Sequence, residues 1–509
     1  MLSICDNGPA PAAPDPCNLA ADVLSCAHTA PDRIALVIVS PQRAERWSNG
    51  AIAAAVRGIG TGLLARGLVP GDRVLIRLGN SLDFPLCHLG AITAGMVPVP
   101  TAAALTGPEI TRVARLVAPA LIVAAPGIAL PDHPAPVLGA EALRAMRALP
   151  PCPFALGPPD RLAYIVMTSG SGGTPRAVMH AHRAHFARRM MWADWYGLTG
   201  ADRLMHAGAF NWTFTLGTGL LDPWSAGATA LIPDEGVSPA QVPLLMRRHD
   251  VTVFASAPGV YRQLLKSGDR LDLPRLRHGL SAGEAMPDSL RARWMAATGR
   301  PVLNALGMTE CSTYISEAPD RPAPPGAAGW AQRGRRVAVL GCDGVPVARD
   351  EVGELAVHRS DPGLFLGYLG EDSETMARFS GDWFRTGDMV SMATDGAITC
   401  HGRADEQMNP GGFRVSPLEV EAALAGAPGI QEIAVTEVAL GPETRVIAAF
   451  CVAPAALDET ALAAFAAKRL ARYKQPRVWH RVEALPQGAN GKIRRRDLAA
   501  AWEAAHGPA

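Results

Sequence analysis

The stretch that decides the fold spans residues 164–176 and reads YIVMTSGSGGTPR. Its first four residues have the apolar character of a buried strand, and the next seven are all Gly, Ser or Thr. Glycines let backbone amides approach phosphate oxygens closely, hydroxyl groups add donors, and Arg176 can add positive charge. The stretch lacks the Gly-x4-Gly-Lys-Ser/Thr spacing of the P-loop. A phosphate-binding loop is the functional interpretation, and a flexible surface loop is the alternative.

Helix and strand signals alternate on both sides of this loop. Residues 51–66 and 81–94 predict helices, and residues 73–76 and 97–100 predict strands. Further strands are predicted at residues 121–124, 163–167, 228–232, 251–254 and 301–305. Strands that alternate with helices form a mostly parallel sheet covered by helices. The first half of the chain therefore predicts an α/β fold.

The sequence changes character after about residue 325. Short strand signals at residues 337–340, 353–357 and 397–401 are separated by Gly and Asp turns, which predicts an antiparallel, barrel-like subdomain over about residues 325–402. The first dozen residues are rich in Pro and Ala and predict disorder. We expect residues 1–404 to form one large N-terminal domain of helix-covered mixed sheets.

A new unit begins near Ser416. Ser416 and Glu419 predict a capping box that opens a helix. The strands and the helix predicted after it lie at residues 432–438, 446–452 and 459–470. We therefore expect residues 405–509 to form a small α+β domain.

Composition excludes several functional classes. The 509 residues include 48 Lys and Arg against 47 Asp and Glu, so the net charge of +1 gives no general attraction to nucleic acid or to an anionic membrane. The basic run at residues 492–496 is interpreted as a solvated face. Nine scattered cysteines without a CxxC pair predict reduced thiols. The most apolar run, residues 116–130, is too short and too interrupted by proline to span a bilayer, and no secretory signal pattern precedes it. We expect a cytoplasmic enzyme.

Five more motifs follow the loop in order. Residues 281–284 read SAGE, residues 303–310 read LNALGMTE, residues 383–388 read WFRTGD, residues 402–417 read GRADEQMNPGGFRVSP, and residues 485–493 read LPQGANGKI. Each motif alone is weak, since a short Gly-containing segment is usually only a turn and a lysine near a C-terminus is usually solvated. Their common order along one chain makes the set specific.

Together with the loop, these motifs resemble the adenylate-forming superfamily, which includes acyl-CoA and aryl-CoA synthetases, luciferases and the adenylation domains of peptide synthetases. The form of the loop resembles the benzoate-CoA ligase branch most. The resemblance covers roughly residues 30–500. The chain departs from the family pattern at Arg176, where lysine is usual, at Leu306, where an aromatic residue usually packs on adenine, at Pro410, where serine is common, and at Asn490, where threonine is usual.

The resemblance implies a role for each matching residue. Lys492, Glu310 and Thr309 would be catalytic, with Glu310 also holding Mg²⁺, which prefers a few protein oxygens plus phosphate and water. Asp405 would be the hinge, and Gly411 and Gly412 would approach coenzyme A. Residues implied to contact ATP or AMP are Thr168, Ser169, Gly170, Ser171, Gly172, Gly173, Thr174, Arg176, Gly283, Glu284, Asn304, Ala305, Leu306, Asp388 and Arg403. Residues implied to line the acid pocket are Phe210, Thr213, Phe214, Ala282, Thr313 and Tyr314.

The implied reaction has two steps and requires ATP, Mg²⁺ and coenzyme A. A carboxylic acid first forms an acyl-adenylate and pyrophosphate, with Lys492 between the carboxylate and the α-phosphate. The small domain then turns at Asp405, and a thiol displaces AMP, a gating role for domain motion.

The aromatic residues after His206 resemble the stretch that lines the acid pocket of benzoate-CoA ligases. This resemblance implies a small aromatic or compact acid rather than a long fatty chain, although Phe210 and Trp212 suit a hydrophobic core equally well. Three alternatives remain open: a stand-alone enzyme that loads a carrier-protein thiol, an oxygenase of luciferase type, and a non-catalytic nucleotide-binding relative. We expect no nucleic-acid or membrane partner, and a homodimer is possible.

Overall fold

The computed structural model describes residues 1–169, 175–266, 268, 270–283, 286–404, 408, 415–441, 444–488 and 493–506. In chain order the strands are β1 (Ile4–Asp6), β2 (Ile34–Val39), β3 (Ala44–Ser48), β4 (Arg73–Arg77), β5 (Val97–Pro100), β6 (Leu121–Ala124), β7 (Val137–Gly139), β8 (Leu162–Ser169), β9 (Pro175–Ala181), β10 (Arg203–His206), β11 (Thr229–Pro233), β12 (Val253–Ala255), β13 (His278–Ala282), β14 (Val302–Met308), β15 (Ser312–Ser316), β16 (Ala327–Ala331), β17 (Arg336–Leu340), β18 (Val352–His358), β19 (Gly367–Tyr368), β20 (Phe379–Ser380), β21 (Trp383–Met392), β22 (Ile398–Arg403), β23 (Glu432–Gly441), β24 (Thr444–Val452) and β25 (Val478–Val482).

The α-helices are α1 (Leu19–Val23), α2 (Cys26–Thr29), α3 (Asn49–Leu64), α4 (Asp83–Thr93), α5 (Gly107–Val117), α6 (Ala140–Met146), α7 (Arg183–Ala187), α8 (Asp222–Ser225), α9 (Val242–Arg248), α10 (Pro258–Leu264), α11 (Asp288–Thr298), α12 (Asp372–Ala377), α13 (Pro417–Leu424), α14 (Glu459–Ala467) and α15 (Arg495–His506). Trp192–Tyr196 and Phe214–Leu221 are π-helical, and Pro239–Gln241 and Arg472–Lys474 are 3₁₀-helical.

Parallel strands dominate the first half of the chain, as the alternating pattern predicts. Strands β14, β13, β12, β10, β11 and β2 are neighbours in this order and pair in parallel. A second sheet has the order β5-β4-β6-β7 and is also parallel. Helices α3 and α4 pack closely: a Cβ atom at Gly90 would lie 2.6 Å from Ile59 Cγ2. The prediction of a helix-covered α/β fold is confirmed.

The strands after residue 325 are antiparallel, as expected, but they do not close on themselves. Their order, β1-β17-β18-β21-β22-β16, continues through β15 into the parallel strands and forms one open 15-stranded sheet. The barrel-like region is therefore an antiparallel extension of the main sheet. Two predicted site residues, Asp388 and Arg403, lie on its neighbouring strands β21 and β22.

The prediction of a disordered N-terminus is wrong for its first residues. Strand β1 pairs with β17, and the buried Ser3 hydroxyl donates to Ala348 O at 2.8 Å. Asn7 Nδ2 donates to Ala331 O at 2.6 Å. Because β17 offers unpaired backbone groups at the sheet edge, three residues of β-forming sequence are enough to add a strand there.

The last part of the chain forms its own small sheet, β23-β24-β25, packed against α13, α14 and α15. Helix α13 begins where the sequence predicts, and Ser416 Oγ accepts the hydrogen bond of Glu419 N at 3.3 Å. The Glu419 carboxylate binds Lys474, in place of the reciprocal capping contact. No helix in the described part of the chain has both the length and the apolar character that a membrane crossing requires.

Candidate active site

The predicted phosphate loop connects two strands that pair with each other. Strands β8 and β9 are antiparallel, with Thr168 opposite Arg176 and Ser169 opposite Pro175. Together with β19 they form a separate three-stranded sheet, so β8 is confirmed as a strand but does not join the parallel sheet. Five small residues are enough for a direct hairpin connection, whereas a parallel pairing would need a longer crossover. Loop residues Gly170, Ser171, Gly172, Gly173 and Thr174 lie outside the described residues.

Arg176 leaves the loop and binds protein side chains. Its guanidinium lies 2.7 Å from Glu374 Oε1 and 3.6 Å from Glu371 Oε2, next to α12. It also lies 5.3 Å from the centroid of the Tyr368 ring. Sequence reasoning assigned Arg176 to phosphate and did not anticipate these acidic partners.

Thr309 and Glu310 occupy the turn between β14 and β15. A register shift after Leu306 displaces the end of β14, and a Cβ atom at Gly307 would overlap the backbone of Ser312. Glu310 Oε1 accepts the Tyr368 hydroxyl at 2.7 Å, and Glu310 O accepts Phe365 N at 2.8 Å. The predicted metal ligand is thus fixed through its main chain and through one carboxylate oxygen.

Asp388 and Arg403 face each other across β21 and β22. Arg403 Nη1 lies 3.1 Å from Asp388 Oδ1 and donates to Thr386 O at 2.8 Å. Gly387, between Thr386 and Asp388, has φ of +82°, and a Cβ atom there would lie 2.5 Å from Arg403 Nη2. Gly387 thus lies at an irregularity within β21 that only glycine adopts without strain.

A further residue supports this part of β21 and was not predicted. Glu354 Oε1 accepts Gly387 N at 2.8 Å, while Glu354 Oε2 accepts Arg385 Nε at 2.8 Å. Glu354 lies on the neighbouring strand β18, and a single acidic residue in an ordinary strand carries no sequence signal for this role. We call Thr309, Glu310, Asp388 and Arg403 the nucleotide side of the site.

Neighbouring strands bring two predicted motifs together. Ser281 pairs with Asn304, and Ala282 pairs with Ala305, at the carboxyl end of β13, where its parallel pairing with β14 ends. Ligands of open α/β sheets bind at this edge. The buried Ser281 Oγ and Asn304 Oδ1 have no hydrogen-bond partner in the described part of the chain. Gly283 follows with φ of +94°, and a Cβ atom there would lie 2.5 Å from Trp212 Cζ2.

Ala282 and Ala305 belong to a close-packed group with Phe214. The Phe214 ring centroid lies 5.7 Å from that of Trp195 and 5.1 Å from that of Trp212. We call the side chains of Met191, Trp195, Trp212, Phe214, Ala282 and Ala305 the aromatic cluster. Met191 and Trp195 were not predicted, since they lie on a segment whose apolar residues read only as core.

The remaining predicted acid-pocket residues divide between this cluster and other cores. Thr313 Oγ1 contacts Met191 Sδ, and Thr213 lines, with Thr309, a small cavity of about 40 Å³. Phe210 instead packs in the core around α3 and α4, with its ring 5.9 Å from Phe84. Tyr314 lies in the core of the antiparallel strands. The structure thus separates Phe210 and Tyr314 from Phe214.

His206 borders the aromatic cluster without a polar partner. Its ring centroid lies 4.6 Å from that of Phe214, and both ring nitrogens lack a hydrogen bond in the described ranges. Full burial lowers the pKa of His206 to about 3, because the charged imidazolium would lose its hydration. The environment around Phe214 therefore disfavours charge and suits an apolar group.

Several predicted residues lie outside the described residues: Glu284, Asp405, Gly411, Gly412 and Lys492. Their flanks are described. Met408 bridges Val415 around the segment that contains both glycines, and Gln487 bridges Ile493, the residue after Lys492.

The chain matches the AMP-binding enzyme family over residues 25–369 and the AMP-binding enzyme C-terminal domain over residues 419–492. It is 31% identical to a benzoate–CoA ligase of Thauera aromatica, over 86% of this chain and 87% of that protein. It is 30% identical to a 3-hydroxybenzoate–CoA ligase of Aromatoleum sp. (strain CIB), over 88% and 90%. The structure of ATP-bound MatB from Rhodopseudomonas palustris superposes with a TM-score of 0.88 at 25% identity, covering 96% of this chain and 99% of MatB. The chain therefore belongs to the AMP-binding enzyme family.

Proposed function

We propose that this protein is an ATP-dependent carboxylic acid–CoA ligase that acts through an acyl-adenylate. The observation that carries the proposal is that one chain combines the nucleotide side with the aromatic cluster. Asp388 and Arg403, suited to ribose and phosphate, face each other on β21 and β22, and Thr309 and Glu310, suited to phosphate and metal, follow β14. Ala282 on β13 and Ala305 on β14 belong to an uncharged aromatic cluster. Membership in the AMP-binding enzyme family supports the same reaction.

On the nucleotide side, Asp388 would accept hydrogen bonds from the ribose hydroxyls, since a carboxylate offers two acceptor oxygens. Arg403 lies 3.1 Å from that carboxylate and would reach ribose or phosphate. The unpartnered Asn304 carbonyl oxygen and Ser281 hydroxyl would find partners on the nucleotide or the acid, because buried polar groups are normally hydrogen-bonded. Leu306 would provide an aliphatic contact to adenine.

Mg²⁺ fits the donor set at Glu310. No group of three His, Cys, Asp or Glu side chains forms a metal site within the described ranges. One carboxylate suits an ion that takes its other ligands from phosphate and water. When bound, the ion would neutralise charge on the departing pyrophosphate. Thr309 would hold a phosphate oxygen, and the loop amides of residues 170–174 would surround the phosphates.

The acyl-transfer steps would depend on Lys492 and on movement of the C-terminal part. Lys492 would bridge the substrate carboxylate and the α-phosphate while the new C–O–P bond forms and pyrophosphate leaves. Residues 405–509 would then turn about Asp405 relative to residues 1–404, withdraw Lys492 and bring Gly411 and Gly412 to the pantetheine arm. The thiol would attack the acyl carbon and release AMP.

The aromatic cluster supports a small aromatic or compact acid. Trp195, Trp212 and Phe214 pack in one cluster with Ala282 and Ala305, and a wall of rigid rings favours a compact acid over a long acyl chain. Flat rings pack favourably against such a surface in offset or edge-on geometry. The relatives named for benzoate and 3-hydroxybenzoate agree with this substrate class.

A carrier-protein thiol is the second candidate acceptor, and a non-catalytic nucleotide-binding role is the third. A cytoplasmic location and a homodimer complete the proposal and can be checked by cell fractionation and by light scattering.

The experiment is a pyrophosphate-release screen over aromatic, alicyclic and short aliphatic acids, with coenzyme A present and absent. We expect turnover with aromatic acids and a CoA thioester detectable by mass spectrometry. Adenylate formation without a CoA thioester would favour a carrier protein as acceptor. No pyrophosphate with any acid would contradict the proposal.

A further inference from the structure

Tyr368 occupies a position that no predicted role explains. It lies on β19 and pairs with Val178 on β9, the strand that leaves the phosphate loop. Its side chain is 1% exposed, yet its hydroxyl ends on Glu310 Oε1 at 2.7 Å. An ionised carboxylate only accepts hydrogen bonds, so the Tyr368 hydroxyl is the donor in this contact.

The hydrogen bond occupies only one of the two carboxylate oxygens. Glu310 Oε2 accepts no hydrogen bond from the described part of the chain, and the Glu310 main chain is held separately by Phe365 N. The segment from Phe365 to Tyr368 therefore fixes the position and the rotation of the carboxylate. A carboxylate fixed in this way presents its second oxygen in one direction.

Tyr368 is itself held from two sides. Its backbone N donates to Thr375 Oγ1 of α12 at 2.9 Å. The Arg176 guanidinium, anchored to Glu374, lies 5.3 Å from its ring centroid. These contacts connect the end of the phosphate loop to Glu310 through a single aromatic ring.

We propose that Tyr368 is a positioning residue that orients Glu310 for Mg²⁺. The inference rests on the proposed function, in which Glu310 is the metal ligand. Hydrogen-bonding partners of metal-ligating side chains commonly change metal affinity by about 10- to 100-fold when they are removed. The phenylalanine variant keeps the ring and its packing and deletes only the hydroxyl.

The test measures Mn²⁺, as a probe for Mg²⁺, by electron paramagnetic resonance in the presence of α,β-methylene-ATP, which cannot form an adenylate. We expect Tyr368→Phe to raise the Kd for Mn²⁺ about tenfold. We expect the affinity for the analogue without metal to stay unchanged, and the Mg²⁺ concentration for half-maximal turnover to rise in parallel. Tyr261→Phe is the matched control, since Tyr261 is also buried but donates to Phe254 O and Leu280 O.

Glu310→Gln distinguishes a failure of the positioning role of Tyr368 from a failure of the metal role of Glu310. If Glu310→Gln weakens Mn²⁺ binding and Tyr368→Phe does not, the positioning role is wrong and the proposed function stands. If Glu310→Gln leaves Mn²⁺ binding unchanged, the metal role of Glu310 fails first. Equal weakening of analogue binding with and without metal in Tyr368→Phe would show a merely structural role.

A second variant covers the case in which Tyr368→Phe does not fold. Thr375→Val removes the hydrogen bond to Tyr368 N and should raise the Kd for Mn²⁺ about two- to tenfold, as expected for one neutral hydrogen bond. An unchanged Kd in a folded Thr375→Val protein would contradict the connection through Tyr368.

Discussion

The nucleotide side and the aromatic cluster differ in how their side chains are prepared for a ligand. On the nucleotide side the charged groups already have protein partners: Glu310 binds Tyr368, and Asp388 binds Arg403. Beside the aromatic cluster, the ring nitrogens of His206 have none in the described part of the chain. Preorganised charge favours one defined ligand, because its groups need no rearrangement. An apolar wall discriminates mainly by size and shape. The two halves should therefore respond differently to mutation.

The largest effect is expected from Lys492→Ala, which removes the positive charge proposed to act between the substrate carboxylate and the α-phosphate. Loss of one group that stabilises transition-state charge typically lowers kcat about 10²- to 10³-fold. We expect that loss in adenylate formation, measured by acid-dependent pyrophosphate exchange into ATP. Thioester formation from a supplied acyl-adenylate should be unaffected, and equal loss of both steps would contradict the assigned role.

Asp388→Asn should change the KM for ATP without changing the KM for the acid. The amide keeps the shape of the side chain but removes the charge that Arg403 pairs with and one acceptor for the ribose. Loss of a hydrogen bond to a charged group costs about 1.5–3 kcal/mol, so the KM for ATP should rise roughly 10- to 100-fold. The KM for the acid should stay within about twofold of wild type. A matching rise in both KM values would show that the two halves are not independent.

Gly283→Ala changes a residue implied to contact the nucleotide that also lies against Trp212 of the aromatic cluster. The new methyl group would strain a residue with φ of +94° and would lie 2.5 Å from the Trp212 ring. Strain of this kind costs about 1–3 kcal/mol. We expect the KM for the acid to rise more than the KM for ATP. Adding Trp212→Ala should relieve part of the defect, and strictly additive free-energy changes would contradict a direct clash.

The smallest effect concerns His206 and the pH dependence of stability. Its folded pKa is lowered to about 3, whereas the unfolded chain binds a proton below about 6.5. Stability from this residue is therefore present above pH 6.5 and is lost as pH falls, by about 1.4 kcal/mol at pH 5.5. Between pH 7.5 and 5.5 the free energy of unfolding should fall less in His206→Gln than in wild type, by this amount. The measurement is the first transition in urea unfolding. His28→Gln, at an exposed position, is the control and should change nothing.

The residues that the sequence predicts best are those whose contacts are local. Thr386, Gly387 and Asp388 form a bulge within β21, and a backbone with positive φ at Gly387 needs particular residue types. The alternation of helices and strands likewise predicts the parallel sheet. Glu354 could not be found in this way, because its contact with Gly387 depends on strand pairing 33 positions away.

The aromatic cluster shows most clearly which contacts cannot be predicted from the sequence. Met191 and Trp195 meet Phe214, Ala282 and Ala305 only because four separate segments pack together. Any buried aromatic residue satisfies the same local pattern, so the sequence leaves Phe210 open between the acid pocket and a core, and in the structure it packs in the core around α3 and α4. The pairing of β1 with β17 escaped for the same reason, since a short edge strand forms only when a distant edge is available.

The pairing of Asp388 with Arg403 has a mechanical consequence for the small domain. Arg403 is fastened to Thr386 O and Asp388, two residues before Asp405. If the chain turns at Asp405, the residue two positions before this hinge is held in place by its contacts. The rotation would then leave β21 and β22 unchanged. Asp388 and Arg403 would then keep one arrangement while the C-terminal domain rotates. The same rigid ribose site would serve both half-reactions.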